Sequence, residues 1–257
     1  MKRLLRIAHT EVLEQRRQPW MIFILAANYA FWSVTFGALF LLIDQFTGRA
    51  EDLALFKQRL NDFGVQYDTV LQLTTSTFGS LTLTNLPLFV AIMSGTSVLH
   101  DRECGTMPFL MLAPVTRLQL LVGKLAGAMV IPFGCHVVFV GVSSLALGQL
   151  ASLAPYANKF GASPAWWVAF LLGAPASAAF VGALGTVISA LSRDVRTSMQ
   201  YTSFFIGLLS LGFGAVLVDG LTKGLALQVA FAIACFIAAA ITLAIGARLI
   251  SRDVTGP

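Results

Sequence analysis

Charge is what this chain has least of. Asp, Glu, Lys and Arg together make up 11% of its 257 residues, while apolar types make up 57%. Soluble domains carry about 25% charged residues, so the chain reads as a membrane protein. Alternating strands of about ten residues are missing too, which argues against a transmembrane β-barrel. The three cysteines, Cys104, Cys135 and Cys235, do not fall where an external disulfide framework would need them. No His-Glu-x-x-His sequence is present, so the helix-borne metalloprotease arrangement is unsupported. Nor is there a Gly-x-x-x-x-Gly-Lys-Ser/Thr loop to cradle phosphates; Gly123-Lys124 is followed by Leu125 and lacks the upstream glycine. The polypeptide is expected to bind no ATP, metal or other cofactor itself.

What the chain does have is length without charge. Runs free of Asp, Glu, Lys and Arg cover 18–43, 69–99, 125–158, 160–192, 197–218 and 224–247. Crossing about 30 Å of hydrocarbon takes roughly 20 residues. The runs predict six transmembrane helices near 20–43, 79–99, 125–150, 165–191, 198–218 and 225–247, in one all-α polytopic domain over 1–257 with a tail at 248–257. The polar groups inside them are Asn28, Asn85, His136, Gln200, Gln228 and scattered hydroxyls. No ionised residue lies near a span centre, where a proton- or sodium-coupled carrier would need one.

With the N-terminus inside, twelve Lys and Arg fall on the cytoplasmic side and five outside. The positive-inside rule then places both termini in the cytoplasm, and the net charge of +5 needs no nucleic acid to explain it. The N-terminus is not a cleaved signal peptide, because its basic start precedes about 24 apolar residues against the 7–15 of a signal core.

Residues 1–17 carry apolar side chains at 1, 4, 5, 8 and 12 among basic residues and glutamates. That spacing fits a helix on the membrane surface, with Leu5, Ala8 and Val12 on its apolar stripe and Pro19 ending it. It serves either as a charged topology anchor or as an elbow helix that also touches a cytoplasmic partner. Residues 44–68 can form one short amphipathic external helix. Span four carries a ridge of small residues, Ala174, Ala178, Gly182, Thr186 and Ala190, and Gly123-x-x-x-Gly127 opens span three similarly. Such ridges let helices approach closely in lipid, here for packing within one subunit rather than as a dimer seam. Pro87, Pro132 and Pro175 are expected to kink their spans. Cys135-His136 could suggest a metal site, but neighbours on a helix point about 100° apart, so a packed Cys and a hydrogen-bonded His are expected. Met107 and Met111 fit an adaptable apolar contact face.

The most informative stretch is 101–124, Asp-Arg-Glu-Cys-Gly-Thr-Met-Pro-Phe-Leu-Met-Leu-Ala-Pro-Val-Thr-Arg-Leu-Gln-Leu-Leu-Val-Gly-Lys. Asp101 and Glu103 favour a helix N-terminus. Gly105 permits a bend, and Thr106 can cap a short helix carrying Pro108 in its first turn. Phe109, Leu110 and Leu112 supply apolar contacts, Pro114 stops the helix, and Arg117 follows. Glu103, Gly105, Thr106, Pro114, Val115, Arg117, Gly123 and Lys124 resemble the Glu-x-Gly-Thr … Pro-Val-x-Arg … Gly-Lys signature of the ABC-2 family of ATP-driven export permeases. Pro108 departs from the helix former that many relatives carry there.

The resemblance implies a non-catalytic permease subunit in a bacterial inner membrane, with a coupling helix between spans two and three. It implies a homodimer, or pairing with a similar permease, and separate ATP-binding subunits that hold ATP and Mg. Glu103, Gly105, Thr106, Phe109, Leu112, Pro114, Val115 and Arg117 would seat the loop on the ATPase. An alternative is a permease-like subunit of an envelope machine for cofactor-site maturation, gliding or pilus-type assembly, transmitting mechanical work. The apolar, hydroxyl-dotted spans favour an amphipathic, lipid-linked or polymeric cargo.

Overall fold

The structure is a computed structural model that describes residues 2–16, 19–47, 50–64, 66–112, 114–147, 164–223 and 225–253. Among them every regular element is helical. The order is α1 (Lys2–Arg16), α2 (Pro19–Thr47), α3 (Ala50–Asp62), α4 (Tyr67–Glu103), α5 (Met107–Leu112), α6 (Arg117–Leu147), α7 (Pro164–Val168), a π turn (Ala169–Gly173), α8 (Ala174–Leu191), α9 (Val195–Lys223) and α10 (Leu225–Asp253).

Among the described residues, five segments are long and apolar enough to cross a membrane: Ile22–Leu39, Leu81–Glu103, Arg117–Leu145, Pro164–Leu191 and Leu225–Ile250. The fifth expected span, 198–218, falls within α9, where several side chains lie outside the described set. The amphipathic helix expected in 44–68 is α3, and the end of the expected span 125–150 and the connection that follows it lie outside the described residues. Helix α4 does not stop at the first charge but continues through Asp101 to Glu103. Asp101 and Glu103 therefore close a helix instead of opening one, against the macrodipole preference. Helix α6 likewise starts eight residues before the expected 125, and α10 extends through 248–253 of the expected tail.

Helix α8 is the centre of the bundle, packed against α4, α10, α6 and α9. Thirteen of its eighteen residues are buried, including the whole ridge from Ala174 to Ala190, so the ridge serves packing within the subunit. A Cβ on Gly182 would sit 2.6 Å from Leu125 Cδ1 and 2.7 Å from Val90 Cγ1. One on Gly185 would sit 3.0 Å from the Ala91 carbonyl oxygen of α4. Backbone polar groups join in: the N–H groups of Val98 and Leu99 lie 3.2 and 3.0 Å from Ser189 Oγ, and Ser198 Oγ donates to the Gly95 carbonyl. These bonds fix the last turns of α4 to α8 and α9.

Pro87 and Pro132 leave α4 and α6 unbroken. Pro175 follows the π turn directly. Proline has no N–H to give to the preceding turn, and a π turn is one way a helix accommodates the loss. Phe170 of that turn stacks on His136 at 4.7 Å, and His136 Nδ1 is 3.5 Å from the Tyr29 hydroxyl. As expected of a packed Cys and a hydrogen-bonded His, His136 is fully buried against aromatic rings, while Cys135 is half-buried and packs against the core.

Replacing Gly185 by Val forces side-chain atoms into α4 and should cost about 1–3 kcal/mol through overpacking. Among the described residues nothing lies within 4 Å of a Cβ on Gly37, so Gly37→Ala should leave stability unchanged or slightly raised. Thermal unfolding of the purified variants in detergent checks both; equal midpoints would mean that the α4–α8 contact is not tight.

Candidate functional site

At one end of the bundle α4, α5, α6 and α1 meet. The join between α4 and α5 is built by Gly105, whose φ of +69° lies in the left-handed region. The Gly105 N–H donates to the Arg102 carbonyl at 3.1 Å, and the Thr106 N–H to the Asp101 carbonyl at 2.9 Å. This pair of bonds is the Schellman ending of a helix, which favours glycine at that position. The expected bend is therefore present. Thr106 stands at the N-cap position of α5, since its carbonyl accepts from the Leu110 N–H at 3.2 Å. Its hydroxyl does not cap α5: it points back to Asp101, 3.1 Å from the carbonyl oxygen and 3.3 Å from Oδ1.

Helix α5 turns Met107 inward, 8% exposed, with Leu110 half-buried beside the core. Met107 is thus a core residue and not part of a displayed face. Leu112 is 83% exposed. The side chains of Phe109 and Met111 lie outside the described set. Glu103 and Pro114 are exposed, Val115 and Arg117 half-buried. The expected site residues hence sit along one connected loop, with Leu112 its large exposed apolar side chain among those described. Arg102, on the same turn, donates to the Ser192 carbonyl at 3.3 Å and fastens the loop to the α8–α9 connection. There Asp194 caps α9, accepting from the Thr197 N–H at 2.8 Å, a bond that holds its carboxyl below the usual carboxylate range.

Two devices were missed in the sequence. Thr116 and Gln119 form a reciprocal capping box: the Gln119 N–H donates to Thr116 Oγ1 at 3.2 Å and the Thr116 N–H to Gln119 Oε1 at 3.0 Å. The Thr-x-x-Gln spacing signals it, and it explains why α6 begins at Arg117. The second is a buried ion cluster. Lys124 Nζ lies 2.6 Å from Glu11 Oε2, 2.8 Å from Asp101 Oδ2 and 3.6 Å from Glu14 Oε2, with Lys124, Glu11 and Asp101 at 5% exposure or less. One ammonium thereby joins α1, α4 and α6. Burial pushes the Glu11 carboxyl above the usual carboxylate range, opposed by the attraction of Lys124.

The cluster also decides how α1 sits. A Cβ on Gly123 would meet Ile7 at 2.8 Å, and one on Gly127 would meet the Glu11 side chain and, at 2.8 Å, the Ala8 carbonyl oxygen. The Gly123-x-x-x-Gly127 step is therefore the seat of α1. The side of α1 turned to the bundle carries buried Glu11 and Gln15 with half-buried Ile7, a polar face distinct from the stripe of Leu5, Ala8 and Val12 expected to meet the membrane surface. Leu5 is 59% exposed, and Ala8 and Val12 are half-buried. The signal was the spacing of Ile7, Glu11 and Gln15, four residues apart on one helical face.

A bundle of long apolar helices with a polar, precisely capped connection at one end defines a multi-pass membrane protein whose distinctive chemistry lies in that connection. The chain belongs to the ABC-2 family of transporter proteins: the family model for the ABC-2 family transporter protein matches residues 5–230. It is accordingly a membrane permease component of an ABC transporter. No curated protein matches the chain.

Lys124→Met leaves buried carboxylates without their cation and should cost about 3–5 kcal/mol. Conservative Lys124→Arg should lose less, because the charge is kept. The thermal midpoint of each purified variant reads this out, and a wild-type midpoint for Lys124→Met would remove the cluster from the structure's stability.

Proposed function

We propose that this chain is the six-span permease subunit of an ATP-driven exporter, with both termini in the cytoplasm and two permease copies per transporter. The residues of 101–124 form its coupling element, seated in a cleft of a separate ATP-binding subunit that carries ATP and Mg. The observation that carries this reading is the Gly105 turn, which sets α5 off from α4 and leaves Leu112 and Glu103 free for a partner. The rigid attachment of α4 to α8 and α9 supports it further. A push on α5 would pass through the Asp101 turn into α4, whose last turns are bonded to both neighbours. The elbow helix α1 would move with them through Lys124.

In this reading Glu103, Arg117, Phe109 and Leu112 touch the ATPase, while Gly105, Thr106, Pro114 and Val115 shape the loop. The stripe of Leu5, Ala8 and Val12 turns to the membrane interface. Ile7 and Glu11 hold α1 to the bundle.

Glu103→Ala and Arg117→Ala should each weaken retention of the ATPase about tenfold or more, since a charge-assisted contact is worth roughly 1.5–3 kcal/mol. Gly105→Val should do the same by straining a backbone of positive φ. Pull-down of the ATPase by permease variants, with insertion verified separately, checks this. Wild-type retention and coupled ATPase activity in all three would dismiss the loop as the coupling element. Orientation has its own check: single cysteines at Gln58 on α3 and Gln119 on α6, in a cysteine-free background, should label from opposite sides of the membrane. Labelling of both from outside intact cells would refute the six-span arrangement.

A further inference from the structure

Beside the ion cluster, α1, α2, α4 and α9 enclose a cleft of about 390 Å³, within the range of about 300–1,000 Å³ typical of small-molecule sites. Its walls are apolar, with Ile24, Phe89, Ile92, Met93 and Met199 among them. Its polar lining comes from Glu11, Glu14 and Gln15 of α1 and from Thr96, Ser97 and His100 of α4.

Two independent observations bear on what fits there. Gln15 is 5% exposed, yet among the described residues neither its Oε1 nor its Nε2 has a hydrogen-bond partner. An unpaired buried amide is costly, and Gln15 is one of the residues that line the cleft. The second observation is charge. Three carboxylates surround the single ammonium of Lys124; Glu11 and Asp101 hold it closely, at 2.6 and 2.8 Å, and Glu14 is left at 3.6 Å with its side chain 31% exposed. Glu14 thus brings a largely uncompensated negative charge to the polar lining of the cleft.

We propose that this cleft binds a single-chain amphiphile with an ammonium head. The head sits beside Glu14 and donates to the Gln15 amide oxygen, and the alkyl chain lies between α4 and α9 along Ile92, Met93 and Met199. An anionic head is excluded by like-charge repulsion from Glu14 and Glu11. A neutral hydroxylated head could satisfy Gln15 but would leave the carboxylate uncompensated. Two methionines in the wall suit a class of chains better than a single shape, because the unbranched thioether adapts to its neighbours. The site belongs to this chain alone and does not depend on coupling to an ATPase.

The test uses the full-length permease in phosphatidylcholine nanodiscs, with a dodecylammonium probe bearing a photoreactive diazirine. Saturable labelling is expected at Ile92, Met93 or Met199. Unlabelled dodecylammonium should compete for it, and dodecyl sulfate should not. Glu14→Gln should weaken competition about tenfold and Gln15→Leu should weaken it as well, each with wild-type elution and thermal midpoint. If Glu14→Gln does not fold, Met199→Trp tests the same site by filling it, and labelling should vanish. Labelling spread evenly onto the exposed Phe23 and Leu208, equal competition by the sulfate, wild-type affinity in Glu14→Gln or retained labelling in Met199→Trp would each overturn the proposal. Since no ATPase is present, these outcomes stand apart from success or failure of the coupling experiment.

Discussion

An ammonium taken out of water must be neutralised where it stands, and Lys124 imposes that demand on the whole end of the bundle. Its solvation is replaced by Glu11 from α1 and Asp101 from α4, both nearly fully buried. Isolated burial of either sign would be prohibitive; together the groups form one cluster whose geometry cannot be relaxed in pieces. Because Asp101 is held, the last turn of α4 is held, and the Gly105 turn follows from it through the Thr106 bonds to Asp101. Because Glu11 is held, α1 lies against α6 on its polar face and leaves Leu5 and Leu13 outward. An amphipathic helix in water would do the reverse.

Close approach makes the rest possible. Lys124 stands between Gly123 and Gly127, where the backbone of α1 comes near enough that a Cβ would clash. Without those glycines the carboxylate of Glu11 could not reach the ammonium at 2.6 Å. The same device recurs in α8 at Gly182 and Gly185 against α4. Among lipid tails, packing and hydrogen bonds carry helix association because burial of apolar surface gives little. Here small residues and serine hydroxyls work together: Gly185 brings α8 to α4, and Ser189, one turn on, meets the N–H groups of Val98 and Leu99.

How legible this was in the sequence depended on the range of the interaction. Local rules were readable: Gly105 as a left-handed bend, the small ridge of α8 as packing, and the apolar lengths of the spans. The capping box of Thr116 and Gln119 is equally local, its Thr-x-x-Gln spacing being a signal that lies within four residues. Helix ends were misplaced wherever a charge marked the edge of an apolar run. Asp101 and Lys124 each end such a run, yet they cancel each other across α4 and α6, so both helices continue past them. No periodicity within one helix reveals such a pairing. The same is true of Met107: its spacing from Met111 suggested an outward face, but the turn at Gly105 rotates α5 so that Met107 enters the core.

The cleft and the loop share their charged groups. Glu11 lies on Lys124 and also belongs to the polar lining of the cleft, while Asp101 lies on Lys124 and also receives the Thr106 hydroxyl. A cation placed beside Glu14 supplies the positive charge the cluster lacks and changes the field at Lys124. Under the proposed function, a shift of α5 that alters the Asp101–Lys124 contact changes the same field from the other side. Binding free energies linked through a common group are reciprocal: whatever the loop does to the cleft, an occupant of the cleft does to the loop. The linkage requires only that Lys124 has more than one way to divide itself among three carboxylates. Its separations of 2.6, 2.8 and 3.6 Å already describe an unequal division, one that a second cation can redistribute.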